Sequence, residues 1–492
     1  MNSWRQYPVI YEINTWVWLR ELTIKTGIEV TLSNVPENIL DDLSGLSIDA
    51  VWLMGVWERS PRGKKISNQN EGNLRDFRQA LHDFTLDDNI GSPYCVKRYM
   101  VDEHLGGTVG LSIFREKLAS RGIKLILDFV PNHLAHDHPW VSESPDFFIQ
   151  GNFDDLQKDP ATFVAIGNAI FACGKDPFYQ AWQDVVQMNA FHPDLRKAIL
   201  ETILQIANQC DGIRCDMAML VMNDIFEKTW QQKAGSKPML DYWEEIIPAT
   251  KRHHEGFLFI AEAYWDMEWN LQQQGFDYCY DKRLYDRLES RNPATILQHI
   301  SAPLDFQSKL LRFIENHDEP RAAAIFKPFT EKALAVAFST LPGARLFHEG
   351  QLEGRKVKLP VFLCRRSPEP VNFALQSFYC KLLSEISLPV FHQGCWSLFQ
   401  TSGWVDNHTF SYLLSWGWKG EGTSYLIIIN MSEKDSQGKV RIDWQDLRGS
   451  NWQLDDPFSG QSYLREGSEL LNPGLYVSLE PWSFHFFRVT AP

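Results

Sequence analysis

Three carboxylates of this chain each lie at or near the end of an apolar run: Asp216, Glu262 and Asp318. The clearest run is Leu258–Trp265, in which Glu262 is the single acid. A short, nearly continuous apolar run is typical of a core strand in a parallel sheet. An unpaired carboxylate is costly to bury there. The pattern therefore predicts one polar site at the rim where these three strands end.

Two of these acids on neighbouring strands could cleave a glycosidic bond. One carboxylate attacks the anomeric carbon and one acid protonates the leaving oxygen; retention of configuration requires the two groups to be roughly 5–5.5 Å apart. Adjacent strands are roughly 4.7–4.9 Å apart, so Asp216 and Glu262 could meet that spacing. Arg214, two residues before Asp216, should face the same side and keep the pKa of Asp216 low. The apolar surroundings of Glu262, which include Tyr264 and Trp265, predict a raised pKa, as a general acid needs.

Eight strand-like segments alternate with helix-like segments and must position these acids. The alternation predicts an α/β fold, a (β/α)8 barrel, whose active site lies at the carboxyl ends of the strands. Gly122, just past the predicted helix Leu111–Ser120, is expected to adopt the left-handed conformation that ends helices. The predicted strands are Ile10–Leu19, Ala50–Val56, Lys124–Val130, Gly212–Met217, Leu258–Ala263, Phe276–Tyr280, Leu311–Glu315 and Ala344–His348.

Two changes in composition and hydrophobic pattern along the chain predict further domains. Residues 134–187 are rich in Asp, Pro, Gly and aromatic residues and are too long for an ordinary connection, so we interpret them as a subdomain inserted after the third strand. Residues 389–492 contain short alternating segments such as Ser424–Asn430, which predict a C-terminal antiparallel β-sandwich. The barrel would then comprise residues 1–133 and 188–388.

Four short segments in chain order carry a family resemblance: Asp128–His133, Gly212–Asp216, Phe259–Glu262 and Ile314–Asp318. Each closes a predicted strand, and together they resemble the four regions of the α-amylase superfamily of glycoside hydrolases (family 13). The resemblance covers nearly the whole chain. It implies Asp216 as nucleophile, Glu262 as acid/base and Asp318 as stabiliser of the distorted sugar.

The same matching implies further substrate contacts. His133, Arg214 and His317 would bind sugar hydroxyls, and Tyr94, in the segment Gly91–Tyr94, would stack on the same ring. Trp265 and Arg321 are candidates for outer subsites, with plain packing as an equal alternative. Asp128 is expected to be structural and to bond to backbone or to Arg214.

The chain departs from the family pattern at two places. Met219 and Leu220 stand where polysaccharide-cutting amylases usually carry Lys-His, which favours a small or unusual acceptor group. Gln187 stands where many members have an Asp calcium ligand, although Asn132 is kept. Because calcium prefers charged oxygen ligands, a structural calcium is not favoured, and no other metal or cofactor is predicted.

Net charge, hydropathy and cysteine spacing argue against several classes of partner. A net charge of −14 argues against nucleic acid and acidic membrane surfaces. Met1–Ile10 has no apolar signal core, and no apolar run is long enough to cross a bilayer. The eight cysteines show no metal-like spacing, so we expect reduced thiols and a cytoplasmic protein. The sequence makes no prediction of the oligomeric state.

These observations predict a retaining α-glycosidase that hydrolyses α-glucosidic bonds in short saccharides or small glucosides. A transglycosidase, an isomerase or a glucoside phosphorylase would use the same residues, because fold alone does not decide the acceptor. A non-catalytic sugar-binding or scaffold protein is less consistent with the chain, which keeps all three acids.

Overall fold

Eight parallel strands close into a barrel in the computed structural model, which describes residues 4–491. Each strand pairs with the strands before and after it in the chain, and the last strand, Ala344–His348, pairs with the first, Val9–Asn14, to close the barrel. This confirms the predicted (β/α)8 barrel; residues 1–3 and 492 of the predicted domain ranges lie outside the described residues. The strands are β1 Val9–Asn14, β2 Ala50–Met54, β3 Lys124–Phe129, β4 Gly212–Cys215, β5 Leu258–Ala261, β6 Tyr278–Tyr280, β7 Leu310–Arg312 and β8 Ala344–His348.

The register of β4 against β5 sets two of the acids side by side. Cys215 pairs with Ala261, so Asp216 and Glu262 are the next residues to leave the barrel on each strand. The backbone N–H of Glu262 donates to the Cys215 carbonyl at 3.0 Å, and Ala218 donates to the Glu262 carbonyl at 3.0 Å. Backbone pairing therefore continues past both acids and fixes where each side chain starts.

The first strand is shorter than predicted. The sequence predicted a strand over Ile10–Leu19, but β1 ends at Asn14 and Thr15–Thr26 form a helix. The side-chain oxygen of Asn14 accepts a hydrogen bond from the backbone N–H of Val17 at 3.5 Å, so Asn14 caps this helix. The β-branched and aromatic residues after Asn14 favour a strand by propensity, and the cap and the tertiary packing override them.

Helices follow the barrel strands and surround the barrel. The helix over Pro193–Ala207 begins with proline at its first position, where no backbone hydrogen bond is lost. Gly122 has φ of +75°, as predicted for the residue after the helix over Gly107–Ala119. The helices are Thr15–Thr26, Glu37–Gly45, Pro61–Ser67, Glu71–Ala80, Gly107–Ala119, Pro139–Glu143, Phe153–Lys158, Pro193–Ala207, Asn223–Trp230, Tyr242–His253, Glu268–Gln273, Lys282–Ser290, Pro293–Ile300, Leu304–Gln307, Ala322–Ile325, Pro328–Thr340, Phe373–Ile386, Val390–Gln393 and Gly467–Glu469.

Two antiparallel sheets lie outside the barrel near its carboxyl end. Trp57–Arg59 pairs with Val96–Val101, and the loop before the latter strand carries Tyr94. The insert after β3 forms its own sheet, in which Trp182–Gln187 pairs with His133–Ala135. The remaining strands of the insert are Gln150–Gly151, Phe163–Ile166 and Ala169–Gly174. The insert thus leaves and rejoins the barrel beside His133.

The C-terminal region is antiparallel, as predicted. Its strands pair in the order β14–β13–β16–β11–β10–β9–β12–β15, continuing the same numbering. Strand β9 joins two parts of this sheet: residues 395–399 pair with β10, and residues 400–402 pair with β12. Val440 and Val477 of one part share a buried cluster with Leu426 and Phe487 of the other. The strands are β9 Cys395–Ser402, β10 Leu413–Lys419, β11 Ser424–Asn430, β12 Ser436–Arg441, β13 Asn451–Asp455, β14 Ser462–Glu466, β15 Leu475–Leu479 and β16 Phe484–Thr490.

Buried tryptophans join the C-terminal sheet to the barrel. The indole N–H groups of Trp416 and Trp418 donate to the hydroxyl and the carbonyl of Thr340, at 3.1 and 2.6 Å. Thr340 ends a helix that packs on the barrel, so the two domains share a core at this point. Across residues 4–491, no helix combines the length and the apolar composition that crossing a membrane requires.

Candidate active site

Asp216, Glu262 and Asp318 all line one cleft of about 350 Å³ at the carboxyl ends of the barrel strands. The structure therefore brings together the three acids that the sequence singled out. Two walls of the cleft come from outside the barrel strands: the loop before Val96–Val101 and the inserted sheet. The other lining residues are Ser92, Tyr94, Cys95, His133, Trp182, Asp184, Val185, Met217, Tyr264 and Phe362.

A single buried guanidinium holds both central acids. Arg214 Nη1 lies 2.7 Å from Asp216 Oδ1, and Nη2 lies 2.9 Å from Glu262 Oε2. Nε donates to the hydroxyl oxygen of Tyr280 at 3.3 Å. Arg214 is fully buried and is not among the residues that line the cleft. Arg214 therefore positions the two carboxylates, and its contact with a sugar hydroxyl stays a prediction.

Glu262 is buried and holds a proton more tightly than an ordinary glutamate. Its Oε2 accepts a hydrogen bond from the backbone N–H of Met217 at 2.6 Å, and its Oε1 accepts one from the Tyr264 hydroxyl at 3.0 Å. Burial raises the pKa of Glu262 to about 7 despite the charge of Arg214, and the neighbouring carboxylates add to the rise. A carboxyl group with this pKa can donate a proton near neutral pH.

Asp216 differs from its prediction in one respect. The sequence predicted that Arg214 would hold the pKa of Asp216 low, but the pKa is raised above its ordinary value. Burial of the carboxylate outweighs the charge and the hydrogen bond of Arg214, and the charges of Asp318 and Asp128 act in the same direction as burial. The prediction counted the nearest charge and missed the desolvation, which disfavours the ionised form of any buried acid.

Asp318 is the more exposed acid, with 44% of its side chain accessible. Its Oδ2 lies 3.0 Å from His317 Nε2. Desolvation within the cleft opposes ionisation, but the charge and hydrogen bond of His317 outweigh it and hold the pKa of Asp318 well below its usual range. Asp318 is therefore a carboxylate in the cleft at neutral pH.

His317 connects Asp318 to the first barrel strand. Its Nε2 lies 2.7 Å from the Tyr94 hydroxyl oxygen, and its Nδ1 pairs with the carboxylate of Glu12. Although burial disfavours the imidazolium, Asp318 and Glu12 together raise the pKa of His317 well above its ordinary value. Both ring nitrogens face protein groups and the ring does not line the cleft, so His317 positions Tyr94 and Asp318. Its contact with a sugar hydroxyl stays a prediction.

Tyr94 and His133 lie where the sequence predicted, on the wall of the cleft. The guanidinium carbon of Arg214 lies 5.2 Å from the centroid of the Tyr94 ring. The centroid of the His317 ring lies 5.6 Å from the same point. Burial lowers the pKa of His133 to about 4, so its imidazole is neutral. Its ring lies 5.1 Å from that of Trp182. A neutral imidazole can donate to one sugar hydroxyl and accept from another.

The two outer-subsite candidates have different positions. Trp265 is half-buried, and its ring packs edge-on against Phe178 at 4.8 Å, next to Tyr264 of the cleft wall, so its subsite role stays a prediction. Arg321 is buried, and its Nη1 bonds to Glu315 at 2.7 Å. The same nitrogen contacts His348 Nδ1 and the Glu349 carbonyl, at 2.8 and 2.9 Å. This interior network holds Nη1 of the guanidinium, and the subsite role of Arg321 stays a prediction.

Asp128 is structural, as expected. Its Oδ2 accepts from the backbone N–H of Gly55 at 2.9 Å, and its Oδ1 accepts from the indole N–H of Trp52 at 3.1 Å. Burial raises its pKa to about 6. The carboxyl group thus supports the floor of the site through backbone and through Trp52, with no direct hydrogen bond to Arg214.

Sequence reasoning missed several residues of the site. Glu12 is a lone acid in the buried run of β1 and carries the same signal that marked Asp216 and Glu262. Tyr280, at the end of β6, would follow from its place at a strand end. Trp182 and Asp184 lie in the insert, where no periodic pattern marks them, and only the folded sheet places them on the cleft wall.

The residues at the position of the family's calcium do not fit a cation. Gln187 Nε2 donates to the backbone and side-chain oxygens of Asn132, both at 2.9 Å, and to the Met188 carbonyl at 3.0 Å. Oxygens of this kind are the ligands that calcium requires, and here an amide group faces them. Over residues 4–491, no group of three or more His, Cys, Asp or Glu side chains could hold a metal ion.

The chain belongs to the α-amylase family. Its residues 35–358 match the family model described as the α-amylase catalytic domain, which is about two thirds of the chain. This match spans most of the barrel, the insert and all three acids.

Individual relatives are distant. The α-amylase MalA of Haloarcula japonica is 24% identical over 396 residues, which cover 78% of this chain and 49% of the relative. α-Amylase 3 of Dictyoglomus thermophilum is 20% identical over 385 residues, covering 72% of this chain and 66% of the relative. The matched part thus spans about half and about two thirds of these relatives. A solved structure, the noncanonic maltogenic α-amylase AmyB of Thermotoga neapolitana, has the same fold, with a TM-score of 0.69, 18% identity and 99% of both chains covered.

Proposed function

We propose that this protein is a retaining α-glycosidase that hydrolyses α-glucosidic bonds in short saccharides or small glucosides. The observation that carries the proposal is the shared guanidinium of Arg214. It binds Asp216 and Glu262 at 2.7 and 2.9 Å in the cleft that Asp318 also lines. Two carboxylates that contact one guanidinium are held close together, as nucleophile and acid/base must be on either side of a glycosidic bond.

The proposed reaction has two steps. Asp216 attacks the anomeric carbon and forms a β-glucosyl ester while Glu262, protonated near neutral pH, donates its proton to the leaving oxygen. Glu262 then takes a proton from water, which attacks the ester and releases α-glucose. The Tyr264 hydroxyl and the Met217 N–H stabilise the carboxylate of Glu262 that forms between the steps.

The remaining cleft residues would bind the reacting sugar. Asp318 is ionised and exposed to the cleft, so it can accept hydrogen bonds from two hydroxyls or face the developing positive charge of the ring. His133 is neutral, and Tyr94 also lines the cleft. Contacts that strengthen as the ring flattens toward the transition state raise the rate of the chemical step.

The acceptor side supports a short substrate. Met219 and Leu220, at the positions where polysaccharide-cutting amylases usually have Lys-His, are buried and do not line the cleft. Met217 and Tyr264 line it instead, next to the contact between Trp265 and Phe178. This side therefore offers apolar contact where those amylases offer charged hydrogen bonding.

We also propose a cytoplasmic location. All eight cysteines are free thiols, and two of them, Cys380 and Cys395, are exposed. Exposed thiols persist most readily in a reducing compartment. Fractionation of cells that express the native gene, with detection by antibody, tests this location directly.

A panel of α-linked substrates tests the activity: the maltose series, sucrose, trehalose, isomaltose and glucosylated polyols. NMR at early times should show α-configured glucose as the first product, which is retention; β-glucose would contradict the mechanism. The same reactions with phosphate present should give no glucose 1-phosphate and no new disaccharide, since either would identify a transferase. Asp216→Asn should abolish turnover, and Asp406→Asn, at an exposed position of the C-terminal domain, should not.

A further inference from the structure

Asp184, on the inserted strand Trp182–Gln187, is a fourth carboxyl group on the wall of the cleft. The other three are paired with a guanidinium or with an imidazole. Within residues 4–491, the half-buried side chain of Asp184 forms no ion pair and no hydrogen bond to another residue. It is therefore the acid of the cleft that the protein itself leaves without a partner.

A carboxylate at this position destabilises the fold. Burial raises the pKa of Asp184, and only a hydrogen bond from its own backbone N–H opposes the rise. The titratable groups that its charge affects are the buried thiols of Cys95 and Cys173, whose pKa is raised first by burial and then by Asp184. An asparagine of the same shape would avoid the cost of this charge. A charge that is kept at a destabilising position in a cleft points to a ligand.

An irregularity in the inserted sheet places Asp184 on the cleft wall. Its strand pairs with Ala169–Gly174 through Trp182 and through Val186, and the register shifts between these two residues. Asp184 lies at the centre of the shift, and bulges of this kind often re-aim a side chain beside an active site. The Cys95 thiol, on the neighbouring wall, donates to the Asp184 carbonyl at 3.2 Å. The backbone of Asp184 is thus held while its side chain has no partner.

The cleft around Asp184 is lined by acids without a matching cation. Among the described residues that line it, four have carboxyl groups and none is a lysine or an arginine. Arg214 is fully buried and Lys358 donates to the Asp318 carbonyl, and neither of these cations lines the cleft. A phosphate group in the cleft would therefore face Asp184 and Asp318 with no guanidinium or ammonium group on the wall to pair with.

We infer that Asp184 is a specificity-determining residue, which accepts hydrogen bonds from two hydroxyls of a neutral saccharide and excludes phosphorylated saccharides from the cleft. Neighbouring sugar hydroxyls can donate one bond to each carboxylate oxygen, and hydrogen bonds to a charged acceptor are about twice as strong as those between neutral groups. A phosphate dianion would instead be repelled, and strongly so in a site of low dielectric constant. The choice of a neutral saccharide over an amine, which a carboxylate also binds, rests on the proposed function.

Asp184→Asn tests the inference, since it removes the charge and keeps the shape of the side chain. The full chain is assayed on a nitrophenyl α-glucoside and on the same glucoside phosphorylated at O6. In the variant, kcat/KM on the neutral glucoside should fall about tenfold, because a charged acceptor is lost, and kcat/KM on the phosphorylated glucoside should rise. Asp154→Asn, at an exposed position of the insert, is the matched control and should leave both values unchanged.

Thermal unfolding distinguishes recognition of the substrate from support of the fold. If Asp184 acts on the substrate, Asp184→Asn should raise the Tm at pH 7, because a partly buried charge without a partner is removed. A structural role predicts instead a lower Tm with an equal loss of kcat/KM on both glucosides, and that result would overturn the inference. A ratio of the two kcat/KM values that is the same in wild type and variant would overturn it as well.

Binding without turnover separates this inference from the proposed function. Calorimetric titration with methyl α-maltoside uses the Asp216→Asn chain, with and without Asp184→Asn. Weaker binding in the double variant supports the role of Asp184. If the wild type also turns over no α-glucoside, that result refutes only the proposed function. Equal affinity in the two chains, beside glycosidase activity of the wild type, would overturn only the role of Asp184.

Discussion

Glu262 accepts a hydrogen bond from the backbone N–H of Met217 at 2.6 Å, so the acid that follows β5 is held by the segment that follows β4. Met217 has φ of +41°, a left-handed conformation that costs a residue other than glycine about 1–3 kcal/mol. The bonds from Met217 to the Glu262 carboxylate and from Ala218 to the Glu262 carbonyl offset this cost. The turn after Asp216 therefore fixes the position of the second acid.

Removing the proton donor should affect substrates unequally. Glu262→Gln keeps the shape of the side chain but cannot protonate a leaving group, so kcat on a sugar leaving group should fall about 10²–10⁴-fold. A nitrophenyl α-glucoside needs little protonation, and its first step should be much less affected. Steady-state and burst kinetics on both substrates measure the difference; an equal loss in the two first steps would contradict the assignment of Glu262.

The alkaline limb of the pH profile should follow Glu262. Its pKa is about 7, so kcat/KM should fall as pH rises above that value because the acid loses its proton. The hydrogen bond that the Tyr264 hydroxyl donates to Glu262 favours the ionised carboxylate. Tyr264→Phe removes this bond, so the pKa of Glu262 should rise and the alkaline limb should move to higher pH. Tyr179→Phe, at an exposed position in the insert, is the control. A limb that stays in place, or moves to lower pH, in Tyr264→Phe would contradict this role.

The buried pair of His317 and Glu12 should make stability depend on pH. The raised pKa of His317 means that its protonated form stabilises the fold fully below the unfolded-state pKa of about 6.5. That contribution is lost as pH rises through the higher folded-state pKa. Glu12→Gln lowers the folded-state pKa, so the variant should lose the contribution at a lower pH than the wild type. It should also lose about 3–5 kcal/mol, because the pair is buried.

Denaturant unfolding between pH 6 and pH 9 measures this effect. The difference in unfolding free energy between wild type and Glu12→Gln should shrink as pH rises from the folded-state pKa of His317 in the variant to its higher value in the wild type. A difference that is constant with pH would show that Glu12 acts by packing alone. Glu244→Gln, on the exposed part of the first turn of the helix Tyr242–His253, is a control for removing one negative charge.

The side-chain amide of Gln187 should stabilise the fold at the position where other family members bind a structural cation. It donates to Asn132 and Met188 oxygens that are buried, so Gln187→Leu should cost at least about 2 kcal/mol of unfolding free energy, with Gln205→Leu at an exposed position as control. A chelator should leave the Tm of the wild type unchanged. Gln187→Glu places a carboxylate against these oxygens, so added calcium should raise its Tm. A fall of the wild-type Tm in the chelator would refute the interpretation.

The sequence by itself determined the barrel and the three acids. Asp216, Glu262 and Asp318 could be found because each ends an apolar run, and a buried strand tolerates a carboxylate only where it opens onto a polar rim. The C-terminal antiparallel domain and the insert followed from alternation and composition in the same way. These features depend on residues close together in the chain, and local patterns report them.

Only the tertiary structure decided how the site is held. Glu12 and His317 pair across 305 positions of sequence, and Arg321 turns inward because Glu315, His348 and Glu349 surround it. Arg214 forms ion pairs with both Asp216 and Glu262. Burial raises the pKa of Asp216, where the charge of Arg214 alone would lower it. Each of these outcomes depends on the distance between segments that are remote in the chain, or on how far their packing removes a group from water. The spacing of residues along one strand contains neither kind of information.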